Sequence, residues 1–471
     1  MHALYNLLYL KNVQNIPEIL KIQKAFYKSQ KTKNLNYRLS ILKSLKKEIL
    51  DKEQAILDAL YNDFKKSNFE TFISEFGLVI SELNLAIKNL KKWAKPKRVK
   101  SSLLTFPSKD YIYKDPYGNV LIIAPWNYPF LLALEPLIMA IAAGNTVVLK
   151  PSELTQSTSK IITQIIKNVF LEDLAISIEG GVETSTELLA QKWDYIFFTG
   201  STKVGKIVAE AAAKNLTPVT LELGGKSPCI IDETVNLNLV AKRLAWGKYF
   251  NGGQTCIAPD YVIVKSDIKE KLIDNLKKEI IKMYGNTPEK SNDLPRIINK
   301  NNTLRLKKLI ENQDVIFGGH IVEDENYISP TLINAPSLDS TLMSEEIFGP
   351  ILPILDYKTY EDIESIIYGL DKPLSLYIFS NNKSFADFIL NSFNFGGGVV
   401  NDVLVHFGNH KLPFGGIGGS GMGQYHGKHG FDTFSHHKSV MKRGNWIDPS
   451  FRYPPYRGKL NLLKKIFKFL G

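Results

Sequence analysis

The chain of 471 residues holds two thiols, Cys229 and Cys256. A thiol is a strong nucleophile even when only a small fraction of it is ionised. Cys256 ends the segment Phe250-Asn251-Gly252-Gly253-Gln254-Thr255-Cys256, whose paired glycines let backbone approach a ligand closely. The loop context alone does not choose between a nucleophile and a buried side chain. Cys229 sits in the strand-like run Ser227-Pro228-Cys229-Ile230-Ile231 and reads as a small core hydrophobe. Glu222 closes an apolar run in Thr220-Leu221-Glu222-Leu223-Gly224-Gly225. A carboxylate there is costly unless paired, solvated or neutralised, which makes it a candidate general base. The plainer alternative is a strand-end acid facing water. Gly200-Ser201-Thr202-Lys203-Val204-Gly205 follows an apolar run and opens a helical pattern, so its N–H groups could meet a phosphate. Its spacing matches neither the dinucleotide fingerprint nor the P-loop, and taken alone it reads first as an ordinary strand-to-helix turn. Six of the eight histidines fall between His406 and His437. They lie among glycines with no cysteine or carboxylate set beside them, so no metal site is expected.

The elements that must position these residues alternate. Pro17 to Trp93 reads as helices, with Leu42, Leu45, Ile49, Ile56 and Leu60 near helical spacing. A basic stretch with two prolines, Lys91 to Lys109, ends this region as a linker or an arm. Short apolar runs then follow at Val120–Ala124, Thr146–Leu149, Tyr195–Phe198 and Val219–Leu223, with helical patterns between several of them. This predicts a parallel sheet covered on both faces. After Gly225 the alternation resumes, with strands at Cys229–Ile231 and Tyr261–Val264 and helices at Leu237–Phe250 and Lys269–Met283. Gly396 to Gly423 is so rich in glycine that loops are expected there.

Composition sets wider bounds. At 44% hydrophobic and 23% charged residues, the chain can build a large core, divided over two or three domains. Two cysteines imply no disulfide framework and suit a reducing cytoplasm. Met1 to Leu10 lacks the marks of a secretory signal. No apolar run is long enough to span a bilayer; the longest candidate, Phe130 to Ala143, contains Glu135 and Pro136. The net charge is +12, but Lys442 to Gly471 carries eight basic residues and one acid, hence +7 of it. The body is therefore not an evident nucleic-acid binder, and no zinc-finger, basic-zipper or RNA-binding motif is present. Within the tail, Leu460, Leu463, Phe467 and Leu470 share one helical face, widened by Leu462, Ile466 and Phe469, with Lys464, Lys465 and Lys468 opposite. Such a helix would lie on an anionic membrane, over a substrate entrance, or on the protein's own apolar surface.

Seven motifs occur in order: Pro125-Trp126-Asn127-Tyr128-Pro129, Lys150-Pro151-Ser152-Glu153, Phe198-Thr199-Gly200-Ser201, Leu221 through Pro228, Gly253-Gln254-Thr255-Cys256, Glu345-Glu346-Ile347-Phe348-Gly349-Pro350 and Pro413-Phe414-Gly415-Gly416. Together they resemble the aldehyde dehydrogenase superfamily from about Ile19 to Tyr456. Phe414 to Lys438 and Arg452-Tyr453-Pro454-Pro455-Tyr456 resemble its class 3 branch, which makes the histidines family sequence rather than ligands. The resemblance implies an α/β fold with a Rossmann-like cofactor domain, an α/β catalytic domain and a β-arm for oligomerisation. Its expected divisions are 1–97, the helical part of the cofactor domain; 98–117, an arm; 118–224, the NAD(P)-binding domain; 225–400, the catalytic domain; 401–440, a return segment and arm; and 441–471, the basic amphipathic tail.

The same resemblance assigns Cys256 as nucleophile, Glu222 as general base and Asn127 as side-chain donor to the oxyanion, joined by the Cys256 N–H. Lys150 and Glu153 match positions near the adenosine ribose. Gly200 and Ser201 lie where the pyrophosphate and nicotinamide pass, and Glu346 holds the nicotinamide ribose with Phe348 beside it. Trp126 and Gly205 complete the cofactor side. The implied activity is NAD(P)-dependent oxidation of medium- or long-chain aliphatic or aromatic aldehydes to acids through a thioester, in a homodimer. An acylating enzyme that passes the thioester to coenzyme A would not need Glu222. Other readings are an enzyme for a metabolic semialdehyde, a non-catalytic binding protein on the same fold, and a basic surface binder, which only the tail supports.

Overall fold

The computed structural model describes residues 15–102, 105–448 and 450–470. The expectation for Met1 to Leu10 lies outside them. The opening helices are Ile16–Lys28, Leu35–Asp51, Glu53–Phe64 and Gly77–Trp93, the last entered through a π turn at Phe72–Phe76. Asn15 and Asn34 cap the first two through their side-chain oxygens. Leu42, Leu45, Ile49, Ile56 and Leu60 are all fully buried, so the spacing read from the sequence is the face that packs.

Three strands form an arm: β1 (Lys97–Val99), β2 (Ser108–Pro116) and Ser435–Arg443, with β2 in the middle and both pairings antiparallel. The next five strands are β3 (Asn119–Ile123), β4 (Thr146–Lys150), β5 (Ala175–Ser177), β6 (Tyr195–Thr199) and β7 (Val219–Glu222). They pair in parallel in the order β7-β6-β3-β4-β5, and Gly421–Met422 adds an antiparallel edge beside β7. The order reverses between β3 and β6. Ligands of open parallel sheets bind at such a switch point, outside the carboxyl ends of the strands.

A second sheet of seven strands begins with β8 (Pro228–Ile231) and β9 (Tyr261–Lys265). Its order is Val315–Phe317, Thr331–Asn334, Ile351–Tyr357, β9, β8, Ser375–Phe379, Gly397–Val400, parallel throughout except for the first pair. The last strand corrects the expectation of loops across the glycine-rich stretch. Gly398 approaches the Leu376 carbonyl so closely that a Cβ would lie 2.5 Å from it. Here glycine permits a tight strand pairing rather than a turn. Helix Pro129–Ala143 is buried along its whole length, Glu135 and Pro136 included. Its apolar sequence thus serves a core between layers. No helix among the described residues is long and apolar enough to cross a membrane.

Candidate active site

The switch point collects the residues singled out in the sequence. Trp126 and Asn127 follow the end of β3, and Gly200 and Ser201 follow β6. Ser201 caps helix Thr202–Ala213 through its hydroxyl. Glu222 ends β7, directly opposite Thr199 in the parallel register. Both Glu222 carboxylate oxygens and the Thr199 hydroxyl are buried without a hydrogen-bond partner among the described residues. Burial, and then the charge of Glu135, pushes the Glu222 carboxyl well above the usual carboxylate range. The strand-end acid therefore does not face bulk water.

Cys256 is brought in from the other sheet by a loop that its own sequence explains. Asn251, Gly252 and Gly253 all take left-handed backbone angles. A Cβ on Gly253 would overlap the Gly349 carbonyl. Gln254 is buried; its amide donates to the Asn251 and Arg296 carbonyls while its oxygen accepts from Ile298 N–H. The Thr255 and Tyr128 hydroxyls are 2.6 Å apart. Asn127 donates its amide to the Gln254 carbonyl at 3.1 Å, which fixes it beside the turn that carries the thiol. Burial, then the Glu346 and Glu222 carboxylates, raise the Cys256 thiol; the backbone N–H groups of Cys256 and Ile257 oppose this. Cys229 is fully buried in β8, as its context suggested.

A further layer supports this loop. Glu75 receives Phe130 N–H and Leu131 N–H with one oxygen and pairs with buried Lys66 at 2.7 Å through the other. It thereby closes the N-terminus of the buried helix. Glu70, raised to about 7 by burial, accepts from Asn251 N–H at 2.7 Å.

Cys256, Glu222 and Thr199 all line one cavity of about 260 Å³. Its other walls are largely apolar and come from Ile73, Leu131, Trp246, Val405 and Phe407, among others. These residues lie in separate elements, and nothing local in the sequence marks them as neighbours.

On the far side of the switch point, Lys150 at the end of β4 is buried and ion-paired with Glu153. Glu153 shares a smaller cavity with Ser152, Gln156 and Gly180. Glu346 is half-buried, accepts from Gly225 N–H and is pushed up to about 8, chiefly by desolvation. It lies so near Gly224 that a Cβ there would overlap it. Trp126 and Phe348 meet edge to face at 5.2 Å. Gly205 is buried, and a Cβ on it would stand 2.6 Å from Leu223, so its smallness lets the helix lie on the sheet. The orphaned groups at the strand ends and the cradle at Gly224 fit a dinucleotide laid across the switch point. One expectation needs correction: the histidines do have carboxylates beside them. Glu82 and Glu135 arrive from two helices far upstream, and the sequence around His410 and His426 could not show this.

A thiol and an unpartnered carboxylate line one largely apolar cavity beside a doubly wound sheet, an arrangement suited to covalent chemistry next to a bound dinucleotide. The aldehyde dehydrogenase family model matches residues 8–440. The chain is 48% identical over 447 residues to a 4,4'-diaponeurosporen-aldehyde dehydrogenase of Staphylococcus aureus, covering 94% of this chain and 97% of that one. It is 44% identical over 462 residues to an aldehyde dehydrogenase family 3 member A2 of Pongo abelii, covering 96% and 94%. The substrate-bound structure of Staphylococcus aureus AldH superposes with a TM-score of 0.94 at 46% identity, over 97% of this chain and all of the other. The chain belongs to the aldehyde dehydrogenase family, and it is an enzyme that oxidises aldehydes to carboxylic acids.

Proposed function

We propose that the substrates are apolar aldehydes, medium- or long-chain aliphatic or aromatic, oxidised with NAD or NADP through a thioester on Cys256. The observation that carries this reading is the largely apolar cavity into which Cys256 and Glu222 both face. Cys256 Sγ attacks the carbonyl carbon, and charge gathers on the oxygen. Asn127 and the Cys256 N–H meet that charge; one such preorganised donor is worth about 3–4 kcal/mol to the transition state. The nicotinamide, when bound, supplies the hydride acceptor that leaves the carbon as a thioester. Glu222 then takes a proton from water, with Thr199 beside it, and the acid is released. Lys150, Glu153, Gly200, Ser201, Glu346, Phe348 and Trp126 would hold the dinucleotide. The Lys150–Glu153 pair supports use of both forms: Glu153 can accept from a ribose hydroxyl, and Lys150 offsets its repulsion of a 2′-phosphate. The S. aureus relative's name, with its 4,4'-diaponeurosporen-aldehyde, agrees with an apolar substrate.

The deciding experiment is kcat/KM across aliphatic chain length and aromatic aldehydes, with a small charged semialdehyde included. It should rise from acetaldehyde to decanal. A preference for the semialdehyde would replace this reading with a specialised metabolic one. We also infer a cytoplasmic homodimer joined through the arm strands, with the tail helix touching membrane.

A further inference from the structure

A buried layer of acids and imidazoles lies behind the cavity wall, and the reaction as described leaves it idle. Each member follows a residue that lines the cavity. Glu82 stands one helical turn beyond Leu78, and Glu135 one turn beyond Leu131; His426 follows Tyr425, and His410 lies two residues past Gly408. The four meet. Glu135 Oε1 is 3.0 Å from His426 Nε2, and Glu82 Oε2 is 2.8 Å from His410 Nδ1. One side-chain atom from each of Glu135, His410 and His426 lies within 4.8 Å of the other two. Glu135 Oε2 and His426 Nδ1 are buried with no hydrogen-bond partner among the described residues. Groups of this kind are costly to bury, so packing alone does not account for them.

The layer has an inner and an outer end. At the inner end both Glu222 oxygens are unpartnered, and Glu135 is the charge acting on them. Tyr425 lines the cavity with Glu222, and its ring lies 5.2 Å from that of His426; after burial, the charges of Glu135, Glu222, Cys256 and Glu82 raise its phenol. At the outer end the His410 side chain is 18% exposed and its Nε2 is 3.0 Å from the Ser81 hydroxyl. The Glu82 carboxylate, 2.8 Å away, raises the His410 imidazole. His406, the other imidazole at this wall, is driven down to about 4 by burial and by His426, stays neutral and contacts the Ser375 hydroxyl.

We propose that Glu135, His426, Glu82 and His410 form a proton exit that empties Glu222 after thioester hydrolysis, and that it is needed when an apolar acyl chain fills the cavity. The proposal rests on the thioester reading above. In hydrolysis the water oxygen bonds to the acyl carbon and one water proton goes to Glu222. The carbon–sulfur bond breaks with its electron pair left on Cys256. The acid leaves, and Glu222 holds a proton it must lose before the next turnover. Once the next acyl chain fills the cavity, bulk water cannot take that proton, and a protonated Glu222 cannot activate water against the new thioester. Glu135, then His426, then His410 each accept one proton and give one up, Glu82 balancing the charge on His410. The net change is one proton moved from Glu222 to solvent.

The test compares Glu135→Gln, His426→Gln and His410→Asn on decanal and on acetaldehyde. Single-turnover formation of reduced cofactor reports acylation, and steady-state rate with the mass of quenched protein reports hydrolysis. With decanal the steady-state rate should fall at least about tenfold, towards the roughly 10²–10⁴-fold of lost acid–base assistance. Acyl-enzyme should accumulate while the single turnover is unchanged. The deficit should deepen in D2O and at acid pH. With acetaldehyde, which leaves room for water, the fall should stay below about threefold. His410→Asn, at the partly exposed end, carries the test alone if the buried variants do not fold. Decanal rates within about twofold of wild type would overturn the proposal, as would equal losses on the two aldehydes. So would stoichiometric zinc in the purified enzyme whose removal by a chelator reproduces the variants. Absence of acyl-enzyme from wild type and every variant would instead remove the thioester reading beneath it.

Discussion

At the scale of single residues, the chemistry turns on two groups whose burial works against their charged forms. Burial raises both the Cys256 thiol and the Glu222 carboxyl, so each is harder to ionise than in water. The proposed reaction needs the thiolate to attack and the carboxylate to activate water. The sign follows: kcat/KM, which reports ionisations of the free enzyme, should climb with pH as the Cys256 thiol ionises. A flat profile would mean that the site ionises these groups by means absent from this geometry. Glu222→Gln should separate the half-reactions, giving one rapid round of reduced cofactor, then slow turnover with acyl-enzyme visible by mass. Loss of the rapid round as well would make Glu222 the base that deprotonates Cys256. Both residues were legible in the sequence through the motifs around them. Context alone favours reading Glu222 as a solvated acid, because whether a strand end is covered depends on Gly421–Met422, far along the chain.

At the scale of elements, local signals carried the strands and helices well. Each apolar run from Val120 to Leu223 became a strand within a residue or two. What sequence could not give was lateral adjacency. The cavity wall draws Ile73, Leu131, Trp246 and Val405 from four separate segments, and the buried imidazoles find their carboxylates on distant helices. The glycine-rich return also misled, since glycine permits a close strand pairing as readily as a turn. The loop before Cys256 gives a sharp test of element geometry. Gly253 combines a left-handed φ of 75° with a carbonyl where a side chain would sit. Gly253→Ala should displace the thiol and lower kcat at least about a hundredfold, the scale of a misplacement near 1 Å. The thermal midpoint should drop by only a few degrees. Near-normal kcat would show that the loop shifts without moving Cys256.

At the scale of the whole molecule, the charge of +12 is concentrated in the tail, where Leu460–Leu470 forms a helix. Leu460, Leu462 and Phe467 are exposed, while nothing is described of the Ile466, Phe469 and Leu470 side chains. A form ending at Tyr456 should keep the dimer mass by light scattering yet lose co-sedimentation with anionic vesicles at low salt, where each Lys contributes about 1 kcal/mol. Equal recovery of both forms would reject membrane contact. A monomer mass for the full chain would reject the arm as an interface. The two returning segments also bear on how the protein is made. Gly421–Met422 covers the free edge of β7, and Ser435–Arg443 completes the arm on β2. At a ribosome adding about 5–20 residues per second, the interval between Glu222 and Gly421 lasts about 10–40 s. Throughout it the strand carrying Glu222 presents an unpaired edge to other nascent chains. Expression yield should therefore depend on chaperone supply and on translation speed through the second half of the message, even where the finished enzyme is stable.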